Sequence, residues 1–279
     1  IEHASFAKCS FLSSIDIPEG VTSLGTHAFS DCVSLSSIEI PNSVTLIGNY
    51  AFMDCSTLTS IDIPNGVTSI GDYAFTRCQS LISIDIPNGV TSIGDYAFSE
   101  SPSLVVITIP DSVISIGEGA FYFCTSLSSI NIPDAVTRIN TRTFTKCSAL
   151  TSISIPDGVT SIGEQAFAGC SSLPSIVIPS AVASIGLYAF GTCSSLSEVT
   201  CNATTPPTLG SDAFANIASS PTLYVPVSTY DTYMASDWAQ YFTTIDDGEE
   251  HGSYENGVAT VVTAGTLSTL IPEEEKYTI

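Results

Sequence analysis

The chain has 279 residues, 44% of them hydrophobic, so it carries enough apolar material for a sizeable core; a disordered chain and a disulfide-stapled miniprotein are excluded. Six basic residues against 28 acidic ones leave a net charge of −22, a field that repels nucleic-acid phosphates and anionic lipid headgroups. No run approaches the ~18 apolar residues of a bilayer-spanning helix, so no direct membrane insertion is expected of this stretch, and no basic start followed by an apolar run marks a signal peptide.

The chain opens in the middle of a repeat: Ile1 and Phe6 align with positions that recur throughout, so further repeats are expected before it. Proline follows at Pro18, Pro41, Pro64, Pro87, Pro110, Pro133, Pro156 and Pro179, each 23 residues after the last. Phenylalanine keeps the same step from Phe6 to Phe190, then takes one 24-residue step to Phe214, which makes about ten coils.

One full unit runs from Ile63 to Asp85; in each unit a run such as Leu81-x-x-Ile84-x-Ile86, recurring as Leu35, Ile38, Ile40 and Leu58, Ile61, Ile63, alternates in and out as a strand with one buried face does. The proline after it has no N–H for a ladder and turns the chain. A second short strand is expected over Val67 to Ile70. Glycine follows at Gly25, Gly48, Gly71, Gly94, Gly117, Gly163 and Gly186, with Asn140 as the exception, which points to a left-handed turn there. The Ala-Phe segment is short enough for one helical or 3₁₀ turn, with Phe plugging the coil end. No coil buries these side chains alone; stacked coils share one core.

After Val199 and Cys201 the pattern degenerates, and Leu223, Val225 and Pro226 close a last strand. Ser228 to Phe242 reads as a capping helix: Ser228 is its N-cap, and Tyr230, Met234, Trp238 and Tyr241 form an apolar stripe over the last coil. The domain reading is therefore a solenoid over 1–226, a cap over 227–245, and a linker with the start of a further region over 246–279. In that tail Asp246 to Ser253 is the linker, Val258 to Val262 a strand, and Thr266 to Ile271 a short helix before Tyr277, Thr278 and Ile279.

Leu-x-x-Ile-x-Ile with a cysteine before it resembles the leucine-rich-repeat signature. The 23-residue form with Ile-Pro, Val-Thr-Ser-Ile-Gly and Ala-Phe-x-x-Cys resembles the BspA-like surface proteins over residues 1–226. The resemblance implies an α/β leucine-rich-repeat right-handed solenoid with a parallel strand ladder on its concave face. It further implies a bacterial cell-surface or secreted protein, of the kind abundant in gut and oral Bacteroidetes, that adheres to a protein or glycan partner such as host matrix.

Eight of the nine cysteines, Cys9, Cys32, Cys55, Cys78, Cys124, Cys147, Cys170 and Cys193, share one register position, where Ser101 replaces the missing member. Stacked coils bring their Cα atoms within disulfide reach, but parallel Cβ vectors disfavour the bond, so buried free thiols are the first expectation and a disulfide or metal the alternatives. Zinc-type CxxC spacing is absent. His27 holds the position of Tyr50, Tyr73 and Tyr96 and reads as a ridge residue. There is no G-x-S-x-G elbow, no phosphate loop and no dinucleotide fingerprint, so neither catalysis nor a cofactor is expected.

Two stripes are candidate binding residues. The outward strand position reads Asp16, Glu39, Asp62 and Asp85, then turns neutral from Thr108 to Val177; solvated carboxylates or a cationic partner, calcium included, both account for it. Tyr50, Tyr73 and Tyr96 form an outer ridge, either stacked over the turn or an aromatic platform for a sugar or protein. Asn202-Ala203-Thr204 is an N-glycosylation sequon, meaningful in a eukaryotic secretory source. The expected function is a non-enzymatic interaction module, with a stalk that spaces another surface domain as the runner-up.

Overall fold

The computed structural model describes residues 1–249, 252–255 and 258–261. Successive coils build three ladders, two of strands, each with gaps, and one of turns. The Leu-x-x-Ile-x-Ile segment builds the main ladder. Ser83–Asp85 pairs in parallel with Val106–Thr108, and Ser129–Asn131 pairs with Ser152–Ser154. Ser175–Ile178, Glu198–Cys201, Thr222–Tyr224 and Thr244–Asp246 form a continuous run of four. In the first coils the ladder is a single bridge between Asp16 and Glu39. The expected alternation holds: Ile84 is buried between exposed Ser83 and Asp85.

The second ladder is shorter than its sequence suggests, with two-residue strands such as Ser69–Ile70 where Val67 to Ile70 is expected. It stops at the glycine column, and that column is not left-handed. A Cβ on Gly71 would stand 2.6 Å from the backbone nitrogen of Asn49, and one on Gly94 would stand 2.6 Å from that of Asp72. Glycine is required because the backbones of consecutive coils approach there without room for a side chain. Positive φ falls two residues later, at His27, Tyr50, Tyr73 and Tyr96 (54–59°), and again at Asp31, Asp54, Arg77 and Glu100 (53–60°).

Those left-handed residues change the expected helical turn into a ladder of its own. The N–H groups of His27, Phe29 and Asp31 donate along the array to the carbonyls of Asn49, Ala51 and Met53 at 2.9, 2.8 and 2.7 Å. Between them, Ala28, Ser30 and Cys32 close i to i−3 turns on Gly25, His27 and Phe29. Hydrogen bonds of the 3₁₀ kind are present, but no run of helix forms.

Inside the coils the phenylalanines from Phe6 to Phe214 stack in one column, with ring centroids 5.0–5.7 Å apart and planes within 1–15°. The register cysteines from Cys32 to Cys193 each donate their S–H to the phenylalanine carbonyl of the preceding coil, as Cys55 does to Phe29 at 3.2 Å and Cys78 to Phe52 at 3.3 Å. Ser101 makes the same bond to Phe75 at 3.2 Å, which explains why serine substitutes there. Burial pushes the Cys32 thiol up to about 11 and Cys124 to about 12, and raises Cys55 and Cys78 further. Cys9, in the first coil, is exposed.

The cap covers the last coil but is not one helix. Tyr230–Met234 is helical, Ser236 breaks the helix, and Asp237–Gln240 is a 3₁₀ turn whose first N–H groups include Trp238 bonding to Ser236 Oγ at 3.3 Å. The helix N-cap is Thr229, whose Oγ1 donates to the Pro226 carbonyl, while Ser228 sits at a φ of 64° outside it. The break shifts the buried face. Tyr233 is buried and Met234 is 47% exposed, the reverse of the expected stripe. Trp238 lies 5.3 Å from Phe214 and donates Nε1–H to the Pro207 carbonyl at 2.8 Å.

The ladder does not close at Val225 either. Thr244–Asp246 pairs with Thr222–Tyr224, so Asp246 is a rung of the sheet rather than the start of a linker. Beyond it, Gly252–Glu255 and Val258–Val261 pair antiparallel, in agreement with the expected strand; the helix over 266–271 and the residues 277–279 lie outside the described residues.

Thiol titration of the folded chain should find one reactive group, Cys9, and all nine on unfolding in guanidinium; several reactive thiols in the folded state would contradict the buried column. In urea denaturation Cys78→Ala should cost about 1–2 kcal/mol, and Cys78→Ser less, since serine keeps the donor. Trp238→Ala should remove about 3–5 kcal/mol and expose the Phe214 end, read as early loss of Trp-cap protection and aggregation on heating.

Candidate binding surface

The outward position of the main ladder brings Asp16, Glu39, Asp62 and Asp85 onto one face, all exposed. Asp16 and Glu39 are direct bridge partners and Asp85 stands opposite Thr108, rungs spaced ~4.8 Å apart, while Asp62 keeps the 23-residue step without a ladder pair. At that distance two carboxylates repel by roughly 1 kcal/mol in water.

A second carboxylate column continues this line, and sequence reading missed it. The residue after each register proline reads Glu19, Asn42, Asn65, Asn88, Asp111, Asp134, Asp157 and Ser180, so acid returns here as it leaves the strand position. Asp16, Glu19, Glu39 and Asn42 line one groove, and the 23-residue register places Asp85 beside Asp111 in the same way. The signal was present in the sequence as the change from Asn to Asp after Pro110. It is visible only once the two positions are known to be neighbours. The polar end and bland end expected along the array are therefore a polar track that changes column midway, with exposed Val177 and Tyr224 at its far end.

Among the described residues none of these acids has a basic side chain within ion-pair distance, and none accepts a hydrogen bond from the protein. The described cations stand elsewhere. Lys8, Arg77, Arg142 and Lys146 lie on the turn ridge at left-handed positions, where Arg77 pairs with Asp54 at 3.6 Å and Glu100 at 3.1 Å, and Arg138 is exposed on the second strand ladder. Another acidic column on that ridge is occupied by the fold itself: Asp72 Oδ1 accepts from the Asp95 N–H at 2.9 Å, and Asp95 Oδ1 from the Glu118 N–H at 2.7 Å.

The aromatic ridge also has its surfaces engaged. His27, Tyr50, Tyr73 and Tyr96 stack face to face, with centroids 4.5, 4.8 and 5.1 Å apart and planes within 4–11°. Burial raises the Tyr73 and Tyr96 hydroxyls above the usual phenol range. Ring faces that lie on one another are not open to a sugar; the ridge presents edges and hydroxyls, and Tyr96 donates its hydroxyl to Glu118 at 3.1 Å. Among the described residues no group of His, Cys, Asp and Glu is arranged to hold a metal ion.

This architecture is similar to a leucine-rich-repeat protein of T. pallidum, 37% identical over 58% of this chain and 78% of that one, with a TM-score of 0.56. A leucine-rich cell surface protein of Faecalibacterium prausnitzii is 28% identical over 88% of this chain and 82% of that one, TM-score 0.46. A leucine-rich-repeat protein of Bacteroides ovatus is 25% identical over 88% and 86%, TM-score 0.40. No curated protein is significantly similar. A model of the BspA-type leucine-rich-repeat region matches residues 1–127 and 114–234, and the chain belongs to that family.

Proposed function

We propose that the chain is a non-catalytic interaction module of a cell-surface or secreted protein, which engages a positively charged protein or glycan through its strand face. The observation that carries this reading is the difference between two carboxylate columns. On the turn ridge Asp72 and Asp95 accept backbone N–H groups and serve the array; on the strand face Asp16, Glu39, Asp62 and Asp85 serve no internal contact among the described residues. Adjacent exposed carboxylates cost stability through repulsion, and a cationic partner turns that cost into attraction. Membership of the BspA-type family supports the surface setting. A spacer between domains needs no such segregation of charge.

The test is binding of the full chain to immobilised purified matrix proteins and mucosal glycans, for wild type and the combined Asp16→Asn, Glu39→Gln, Asp62→Asn, Asp85→Asn variant at two salt concentrations. For the partner retained by the wild type, affinity should fall with salt, since exposed charges are screened beyond ~8 Å at physiological ionic strength. The variant should bind about tenfold more weakly with a flatter salt dependence, and should unfold at slightly higher denaturant. Equal affinities at both salts remove the strand face as the binding site.

A further inference from the structure

One step of the array departs from the repeat in several columns at once. Asn140 stands in the glycine column, Thr143 where neighbouring coils carry alanine, Ile114 where they carry threonine, Arg138 where most carry serine, and Gly119 in the tyrosine column. The second ladder stops at this step: Ser115–Ile116 ends a sheet of five strands, and Arg138–Ile139 begins a separate sheet of four.

The missing bonds can be named. In neighbouring coils the threonine-position N–H reaches back one coil, Ile114 to Thr91 and Thr160 to Thr137, each at 2.9 Å. The glycine N–H does likewise, Gly117 to Ile93 at 2.9 Å and Gly163 to Ile139 at 2.7 Å. Thr137 and Asn140 make neither backbone bond; instead Asn140 Nδ2 donates to the Ile116 carbonyl at 2.7 Å. The main ladder is interrupted at the same step, since Ser129–Asn131 does not pair with Val106–Thr108 and only a 3.4 Å bond from Ser128 to Val105 remains. The turn ladder runs through unbroken, with Gly119, Phe121 and Phe123 bonding to Thr141, Thr143 and Thr145 at 2.9, 2.9 and 2.8 Å.

The cause is steric. A Cβ in this column at Gly117 would stand 2.5 Å from Gly94 C, and at Gly163 2.5 Å from Thr141 N, so a real Cβ at Asn140 holds the strand edges apart and its amide spans the gap. The main ladder also lacks pairing at Asp62 and before Ser175–Ile178, where Pro174 has no N–H to give, but at both places the second ladder continues past the gap.

We infer that the step between Ile116 and Asn140 is a hinge built into the solenoid, which opens on its strand sides about the unbroken turn ladder before any other step yields. Opening it changes the separation of Asp111 and Asp134, which flank the step on the acidic track. The hinge stands on backbone geometry and does not depend on the binding reading.

Residue-resolved hydrogen exchange on the full chain tests it, in wild type, Asn140→Gly and Asn140→Ala. In the wild type the amides of positions 137 and 140 should exchange at least about tenfold faster than those of Thr160 and Gly163. Asn140→Gly removes the wedge and should slow both toward their neighbours. Asn140→Ala keeps the Cβ and loses the bridging amide, so exchange should stay fast or quicken. Equal protection of 137, 140, 160 and 163 in the wild type overturns the hinge. So does faster exchange in the glycine variant, and slowing by alanine equal to that by glycine removes the Cβ as its cause.

Discussion

The structure depends on the close approach of consecutive backbones at the glycine column. Contacts of 2.5–2.9 Å for a notional Cβ at Gly48, Gly71, Gly94 and Gly117 leave no latitude in how one coil sits on the next. Once that spacing is set, every atom lies over its equivalent one coil below, and each register position faces its own kind. Phenylalanine must stack on phenylalanine, and a small donor must fill the site under the preceding phenylalanine carbonyl. Coupling is then between nearest neighbours, so a defect in one coil is felt at one step and not along the whole array.

The turn ladder is stabilised against an intrinsic cost. A left-handed residue other than glycine is unfavourable by roughly 1–2 kcal/mol, and most coils hold two. Three backbone hydrogen bonds per coil and a stacked side chain offset it. Gly119 shows what the side chain contributes: the Tyr96 ring folds into the vacant space, so that a Cβ there would meet its Cε1 at 2.3 Å, and the aromatic stack ends. Glycine relieves the backbone and forfeits the stacking that makes the ridge continuous.

This division explains what the sequence displayed. Strand phase, the phenylalanine column and the cysteine register follow from periods of two and 23 and are legible in Ile84, Phe75 and Cys78. Glycine has two uses, positive φ and close approach, and Gly71 does not say which; Asn140 then pointed to the wrong one. The true left-handed positions carry residues such as Tyr, Arg, Lys and Glu that give little sign of that conformation, and His27, Asp31 and Asp54 are among the few that hint at it. In the cap, a helical period was extended across Ser236, which breaks it and exchanges Met234 for Tyr233 on the buried side. The strand-face acids were visible as a column. Their continuation through Asp111, Asp134 and Asp157 required knowing which columns are neighbours.

The same constraint separates positions that the array fixes from positions it leaves free. Inward strand residues, the glycine column, phenylalanine and cysteine vary little because each touches its own copy above and below. The outward strand position is exposed in every coil but that of half-buried Thr200, and it reads Asp, Glu, Asp, Asp, Thr, Asn, Ser, Val, Thr and Tyr from Asp16 to Tyr224. Acid on the turn ridge is held in place by backbone donors, so Asp72 and Asp95 are explained by the fold. Acid on the strand face has no such explanation, and solubility alone would be served equally by carboxylates spread among the coils. Their placement side by side, with Lys8, Arg77, Arg142 and Lys146 on the ridge and Arg138 on the second strand ladder, concentrates the field on the face whose side chains the array leaves free.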